Sequence, residues 1–188
     1  MERLPLYTIG HGNRTREELL DLLERYGIKF LIDVRTVPYS KYQPQYNRED
    51  LTTYMQAHSI RYVYMGDSLG GRPKDTSCYN SEGKIDYEAL KTKEFYIEGI
   101  NRLKTAYEKQ VPIAIMCSES KPLECHRSKL IGRTLLQENI LLQHIDENGR
   151  LKGQEIIINE LNKGKSEFTL FGEISDLSNH GSRKSYLD

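Results

Sequence analysis

The chain of 188 residues has no tryptophan, four phenylalanines, three cysteines and no formal net charge. Each shortage removes a class of protein. An odd, small cysteine count argues against a disulfide-stapled secreted domain and predicts a reducing, cytoplasmic setting. The opening MERLPLYTIG has no basic segment followed by a long apolar one, so no secretory signal is expected there. No apolar run approaches the 18 residues of a membrane span, and no membrane partner is expected. Twenty-seven basic residues balanced by 27 acidic ones argue against coating nucleic acid by bulk electrostatics, though a local basic patch remains open.

What is abundant is tyrosine, 13 residues. Tyrosine buries a ring yet keeps a polar tip, which suits half-exposed positions such as a cleft rim. The length fits one domain able to bury a core.

Strands alternate with helices along the chain. LYTIGHG reads as a first strand ended by glycines, and Thr15 with Glu18 has capping-box spacing ahead of Leu19, Leu20, Leu22 and Leu23. Gly27 ends that helix. IKFLIDV, IRYVYM, VPIAIMC and ILLQHI supply four more strands. Helices are expected over about 49–58, 87–108 and 123–137, and a last one in GQEIIINELNKG. Asn148-Gly149 reads as a turn. The expectation is a three-layer, Rossmann-like α/β domain over residues 1–163, with a five-stranded, mostly parallel sheet flanked by helices. Residues 164–188 read as a polar tail.

In such sheets ligands bind beyond the carboxyl ends of the strands. The residues following the strands are therefore the candidates. They are His11 after the first, Asp33 and Arg35 after the second, Gly70, Gly71 and Arg72 beyond the third, and Cys117 and Glu119 after the fourth. Asp33 and Arg35 lie two apart and so share a face, where they can pair or converge on a ligand. Between Arg35 and Lys74 six basic residues (Arg35, Lys41, Arg48, Arg61, Arg72, Lys74) face three acidic ones, interleaved with Tyr39, Tyr42 and Tyr46. Such a mixture suits phosphate binding with base stacking.

MCSESKPLECHR, residues 116–127, concentrates the remaining chemistry. A phosphatase-type loop needs arginine six residues after its cysteine. Leu123 and Ile131 stand there instead, which excludes it. Cys117, Cys125 and His126 could hold zinc, but their eight-residue step is wide, and adjacent residues on a helix diverge by about 100°. No metal site is therefore assigned, no cofactor is named, and zinc stays an alternative. Cys117, between a strand end and a helix start near His126 and Arg127, is a candidate reactive thiol.

TIGHGN, DVRTVPYSKYQPQYN, YMGDSLGGRP and IMCSESKPLECHR, in this order, resemble the domain of unknown function 488 family over roughly residues 6–145. The resemblance implies a compact α/β domain whose polar cluster looks catalytic, and no particular activity. It marks His11, Asp33, Arg35, Pro38, Ser40, Pro44, Gly70, Gly71, Cys117, Glu119, Pro122, Cys125, His126 and Arg127. The expectation is an enzyme acting on an anionic, phosphate-bearing small molecule or nucleic acid. Its candidate catalytic groups are Glu119, His11, Asp33, His126 and Cys117. Arg35, Ser40, Tyr46, Gly70, Gly71, Arg72 and Arg127 would bind substrate. A non-catalytic nucleic-acid or nucleotide module, and a metal- or thiol-dependent protein, are the alternatives.

Overall fold

The computed structural model describes residues 3–162 and, as backbone, 180–184. Strand β1 (Leu6–Gly10) is buried throughout. Helix α1 (Arg16–Arg25) starts at the expected box: Thr15 Oγ1 accepts from the Glu18 N–H at 3.1 Å, and the Glu18 carboxylate accepts from the Thr15 N–H at 2.8 Å. Such a cap contributes about 1 kcal/mol. Leu19, Leu20, Leu22 and Leu23 form the buried stripe. Gly27, at φ +66°, takes the left-handed turn that ends the helix. Leu23 is fully enclosed, and Leu23→Ala would cost about 2–5 kcal/mol.

The chain continues through β2 (Phe30–Asp33), α2 (Arg48–Ala57), β3 (Arg61–Tyr64), α3 (Gly66–Leu69), β4 (Lys84–Asp86), α4 (Tyr87–Lys91) and α5 (Glu94–Glu108). There follow β5 (Ile113–Cys117), a π-helical segment (Arg127–Gly132), α6 (Arg133–Gln137), β6 (Leu142–Ile145), β7 (Leu151–Gly153), α7 (Gln154–Leu161) and β8 (His180–Lys184).

The main sheet runs β3-β2-β5-β1-β6-β7. The first five strands are parallel, as expected, and β7 adds a sixth, antiparallel to β6. The expected five-strand count is thus corrected. The Asn148-Gly149 turn brings the chain back as a hairpin, with Gly149 at φ +75° and the Asp146 carboxylate accepting from the N–H groups of Asn148 and Arg150. Lys84–Asp86 and His180–Lys184 form a separate antiparallel pair. The rest of the expected polar tail lies outside the described residues.

Two cores sandwich the sheet. Tyr7, Ile9, Leu31, Ala114 and Met116 pack against α1 and α2. Leu6, Ile32, Ile113, Ile115 and Cys117 pack against α3, α5, the π-helix and α6. This alternation along each strand is the period of two that strand geometry imposes.

Two expected helices are corrected. Residues 87–108 divide into α4 and α5, because Asp86 caps α4 with two hydrogen bonds and Lys93 turns extended (ψ 137°) before α5. Residues 123–137 form a single-turn 3₁₀ segment (Pro122–Glu124), the π-helix and then α6. Pro122 opens the 3₁₀ turn, and Cys125 leaves it extended (φ −113°, ψ 146°).

Candidate functional site

Because β5 lies between β2 and β1, its end meets theirs: Cys117 pairs with Gly10, and Met116 with Asp33. The rim so formed carries one cluster on each side of the sheet.

The first cluster faces α1 and α2. Arg35 forks onto Asp33, Nε to Oδ1 at 2.9 Å and Nη2 to Oδ2 at 2.6 Å, and both side chains are buried. Tyr62 donates to the same carboxylate at 2.6 Å, and Arg35 also donates to the Tyr46 carbonyl at 2.8 Å. Burial works against the Arg35 charge, but the bonds to Asp33 and its negative charge outweigh this and hold the guanidinium above its usual range. The ring of His11 stacks on that of Tyr46 at 4.2 Å, and its Nε2 lies 3.4 Å from Arg35 Nη1. Burial, reinforced by the Arg35 charge, lowers His11 to about 4, so it is neutral at neutral pH.

The second cluster faces α5 and the π-helix. Cys117 Sγ donates to the Glu119 carboxylate at 2.9 Å. His126 Nδ1 stands 3.6 Å from Cys117 Sγ and 3.8 Å from Cys125 Sγ. The Arg127 backbone N–H donates to Cys125 Sγ at 3.4 Å. The contact with Cys125 and burial push the Cys117 thiol well up, helped by the negative charges of Cys125 and Glu119. Burial would raise Cys125 too, but its contact with Cys117 and the charges of His126 and Arg127 bring it below the ordinary thiol range. Burial opposes the His126 charge, and the Cys125 thiolate outweighs it, raising the imidazole. The second cluster thus sets a raised thiol beside a lowered one and a raised imidazole.

Glu119 links the halves. Its negative charge acts on His11 in one cluster and on Cys117 and His126 in the other, and Arg35 and Cys117 also feel each other across the sheet. The loop carrying it is held close. The His11 and Gly12 N–H groups donate to the Cys117 and Ser118 carbonyls, and a Cβ at Gly10 would stand 1.8 Å from the Glu119 carbonyl oxygen. Only glycine admits that approach. Beside the rim a cleft of about 510 Å³ is lined by Asn13, Arg14, Ser120 and Asn148 among others.

The domain of unknown function DUF488 model matches residues 15–134. The chain belongs to the DUF488 family. No curated protein matches the chain, and no solved structure does. The matched residues of this DUF488 chain include Asp33, Arg35, Cys117, Glu119, Cys125 and His126, while His11 precedes them.

The fold brings His11, Asp33, Arg35, Cys117, Glu119 and His126 to one rim. Other candidates have local duties. Ser40 Oγ accepts from the N–H groups of Tyr42 and Gln43 within its own turn. The Tyr46 hydroxyl donates to the Arg14 and Thr15 carbonyls at 2.9 Å. Arg127 is fully buried, and its guanidinium donates to Thr8 Oγ1 and to the carbonyls of Glu119 and Ser120. It therefore shapes the loop that presents Glu119. Gly70 packs on Thr36, Gly71 packs on His126, and Arg72 is exposed with its N–H donating to Thr36 Oγ1.

Tyr62 and a buried polar chain were not anticipated. Arg127 donates to Thr8, whose hydroxyl lies 2.7 Å from His144 Nδ1; His144 Nε2 contacts Gln154 Oε1, and Gln154 donates to the Ser128 carbonyl. Only one tautomer satisfies every member: Nε2 donates to Gln154, and Nδ1 accepts from Thr8. The polar His144 within the apolar strand ILLQHI was the available signal. Among the described residues, no helix is long and apolar enough to cross a membrane.

Proposed function

We propose that the chain is an enzyme acting on an anionic, phosphate-bearing substrate, a nucleotide or nucleic-acid end, at the carboxyl edge of the sheet. The observation that carries this reading is the place of Glu119, hydrogen-bonded to Cys117 and electrostatically coupled to His11, which burial lowers, and to His126, which Cys125 raises. Titratable groups with environments that push them apart are the arrangement acid–base catalysis needs. Glu119 then moves the proton, and His11 or His126 assists.

Charge recruitment falls to the loops around the rim. Lys41 and Arg72 are exposed, as are Tyr39 and Tyr42, which offer ring faces to a base. Arg35 and Arg127 act here as positioning residues, because Asp33, Tyr46, Thr8, Glu119 and Ser120 already engage their N–H groups. A cytoplasmic location belongs to the same proposal, and three unpaired cysteines support it.

A panel of nucleotides and end-phosphorylated oligonucleotides tests it. Turnover of at least one member, reduced roughly 10²- to 10⁴-fold in Glu119→Gln at an unchanged melting temperature, is the expected result. Salt-dependent binding with no product on the whole panel would make the chain a binding module instead. Unaltered turnover in Glu119→Gln would remove the carboxylate from the mechanism.

A further inference from the structure

The second cluster has a geometry that acid–base chemistry alone does not require. The ligand atoms of Cys117, Cys125 and His126 all lie within 4.8 Å of one another. A single ring nitrogen, His126 Nδ1, faces both sulfurs, at 3.6 and 3.8 Å. A tetrahedral zinc ion has bonds of about 2.3 Å to sulfur and about 2.0 Å to nitrogen, which sets an S···N edge of about 3.6 Å. Two edges of the cluster therefore match one face of such a coordination shell, and the third is no longer than 4.8 Å.

Both objections raised by the spacing are answered by the backbone. The wide step from Cys117 to Cys125 is closed by the 3₁₀ turn at Pro122–Glu124, which folds the chain back on the end of β5. The divergence of neighbouring residues on a helix does not apply, because Cys125 is extended and only His126 takes up helical angles. The chain then enters a π-helix, a rare form frequently found at functional sites. Gly71 closes the other side, where a Cβ would press on His126 Nδ1 at 2.8 Å. The imidazole is thus held in place by a loop that leaves its ligating nitrogen turned to the sulfurs.

We infer that Cys117, Cys125 and His126 bind a thiophilic divalent cation, zinc first among them, as a three-donor site with an exchangeable fourth position. Two sulfurs and an imidazole select zinc over hard cations such as magnesium or calcium. Three protein donors with one exchangeable position are the pattern of catalytic rather than structural zinc. The inference concerns the same rim as the proposed enzyme but does not depend on any turnover.

The test uses the full chain, purified under reducing conditions, incubated with zinc and freed of excess by gel filtration, with the metal-to-protein ratio measured by mass spectrometry. One ion per chain is expected for the wild type and for Cys78→Ser, since Cys78 lies outside the cluster. Cys117→Ala, Cys125→Ala and His126→Ala should each bind more than tenfold more weakly, and His126→Cys, which restores a donor, should retain the ion. Glu119→Gln should retain it as well; loss there would overturn the three-donor assignment. Cobalt added to the wild type needs no variant to fold, and thiolate-to-cobalt charge-transfer absorption is expected. A wild type that leaves the column without metal and shows no such absorption overturns the site. So does equal zinc in wild type, Cys117→Ala and Cys125→Ala, which would mean an adventitious ion only. Either failure leaves the substrate panel unaffected, and an inactive panel leaves the metal ratio unaffected.

Discussion

Gly71 lies directly against the imidazole of His126, so closely that a Cβ would stand 2.8 Å from Nδ1 and 2.9 Å from Cγ. The ring is a stiff neighbour that cannot swing aside as the end of a lysine can. Gly71→Ala should therefore cost about 1–3 kcal/mol by overpacking and displace the ring from the two sulfurs. Urea unfolding reads the first effect and cobalt absorption the second. An alanine variant with wild-type stability and spectrum would show that the loop moves freely.

The Asp33–Arg35 pair is buried at both ends, and Tyr62 completes the carboxylate shell. Removing one partner strands the other charge, so Asp33→Asn should cost about 3–5 kcal/mol. Asp33→Asn combined with Arg35→Met should cost much less than the two single changes summed. A double-mutant cycle by chemical denaturation checks this, and simple additivity would mean the two side chains act independently.

Burial, and then the charge of Arg127, lower His144 to about 3. Its ordinary value is 6.5. Between these values the unfolded chain binds the proton that the folded chain refuses. The contribution of neutral His144 is thus complete above pH 6.5 and declines as pH falls towards 3. Each unit of difference is worth about 1.4 kcal/mol. The urea midpoint of the wild type should fall across this window, and that of His144→Asn should fall less steeply. Parallel profiles would show that the imidazole is already charged in the fold.

Tyr42 is 83% exposed and packs on little beyond Lys41, 4.9 Å from its ring centre. Tyr42→Ala should leave stability within about 0.5 kcal/mol of wild type. If the loop stacks a base, the same change should weaken binding of an end-phosphorylated oligonucleotide severalfold, by fluorescence anisotropy. Unchanged affinity would place the ligand elsewhere on the rim.

An ion that binds only the folded chain stabilises it by mass action, about 2.7 kcal/mol at a free concentration 100 times the dissociation constant. Zinc should raise the melting temperature of the wild type and a strong chelator should reverse the rise. Cys125→Ala should respond to neither. A zinc response of the same size in that variant would point to another binding place.

Local sequence determined the parts of this protein whose physics is local. Thr15 and Glu18 cap α1 because the box needs only residues three apart, and Asp33 reaches Arg35 because strand geometry puts alternate residues on one face. The order of apolar runs was enough for a mostly parallel α/β sheet with His11, Asp33, Arg35, Cys117 and Glu119 at one edge. It did not reveal β7, whose three residues carry no periodicity, or the break at Lys93, which no glycine or proline marks. Tertiary structure decided the rest. Strand order places β5 between β2 and β1, and that placement, set by packing over the whole chain, lets Glu119 serve both clusters. Arg127, expected from sequence to contact substrate or Glu119, is buried and donates to the Glu119 and Ser120 carbonyls. Cys117, Cys125 and His126 looked too far apart and then too divergent. A 3₁₀ turn and one extended residue brought them together, because side-chain convergence depends on backbone angles that residue spacing alone does not set.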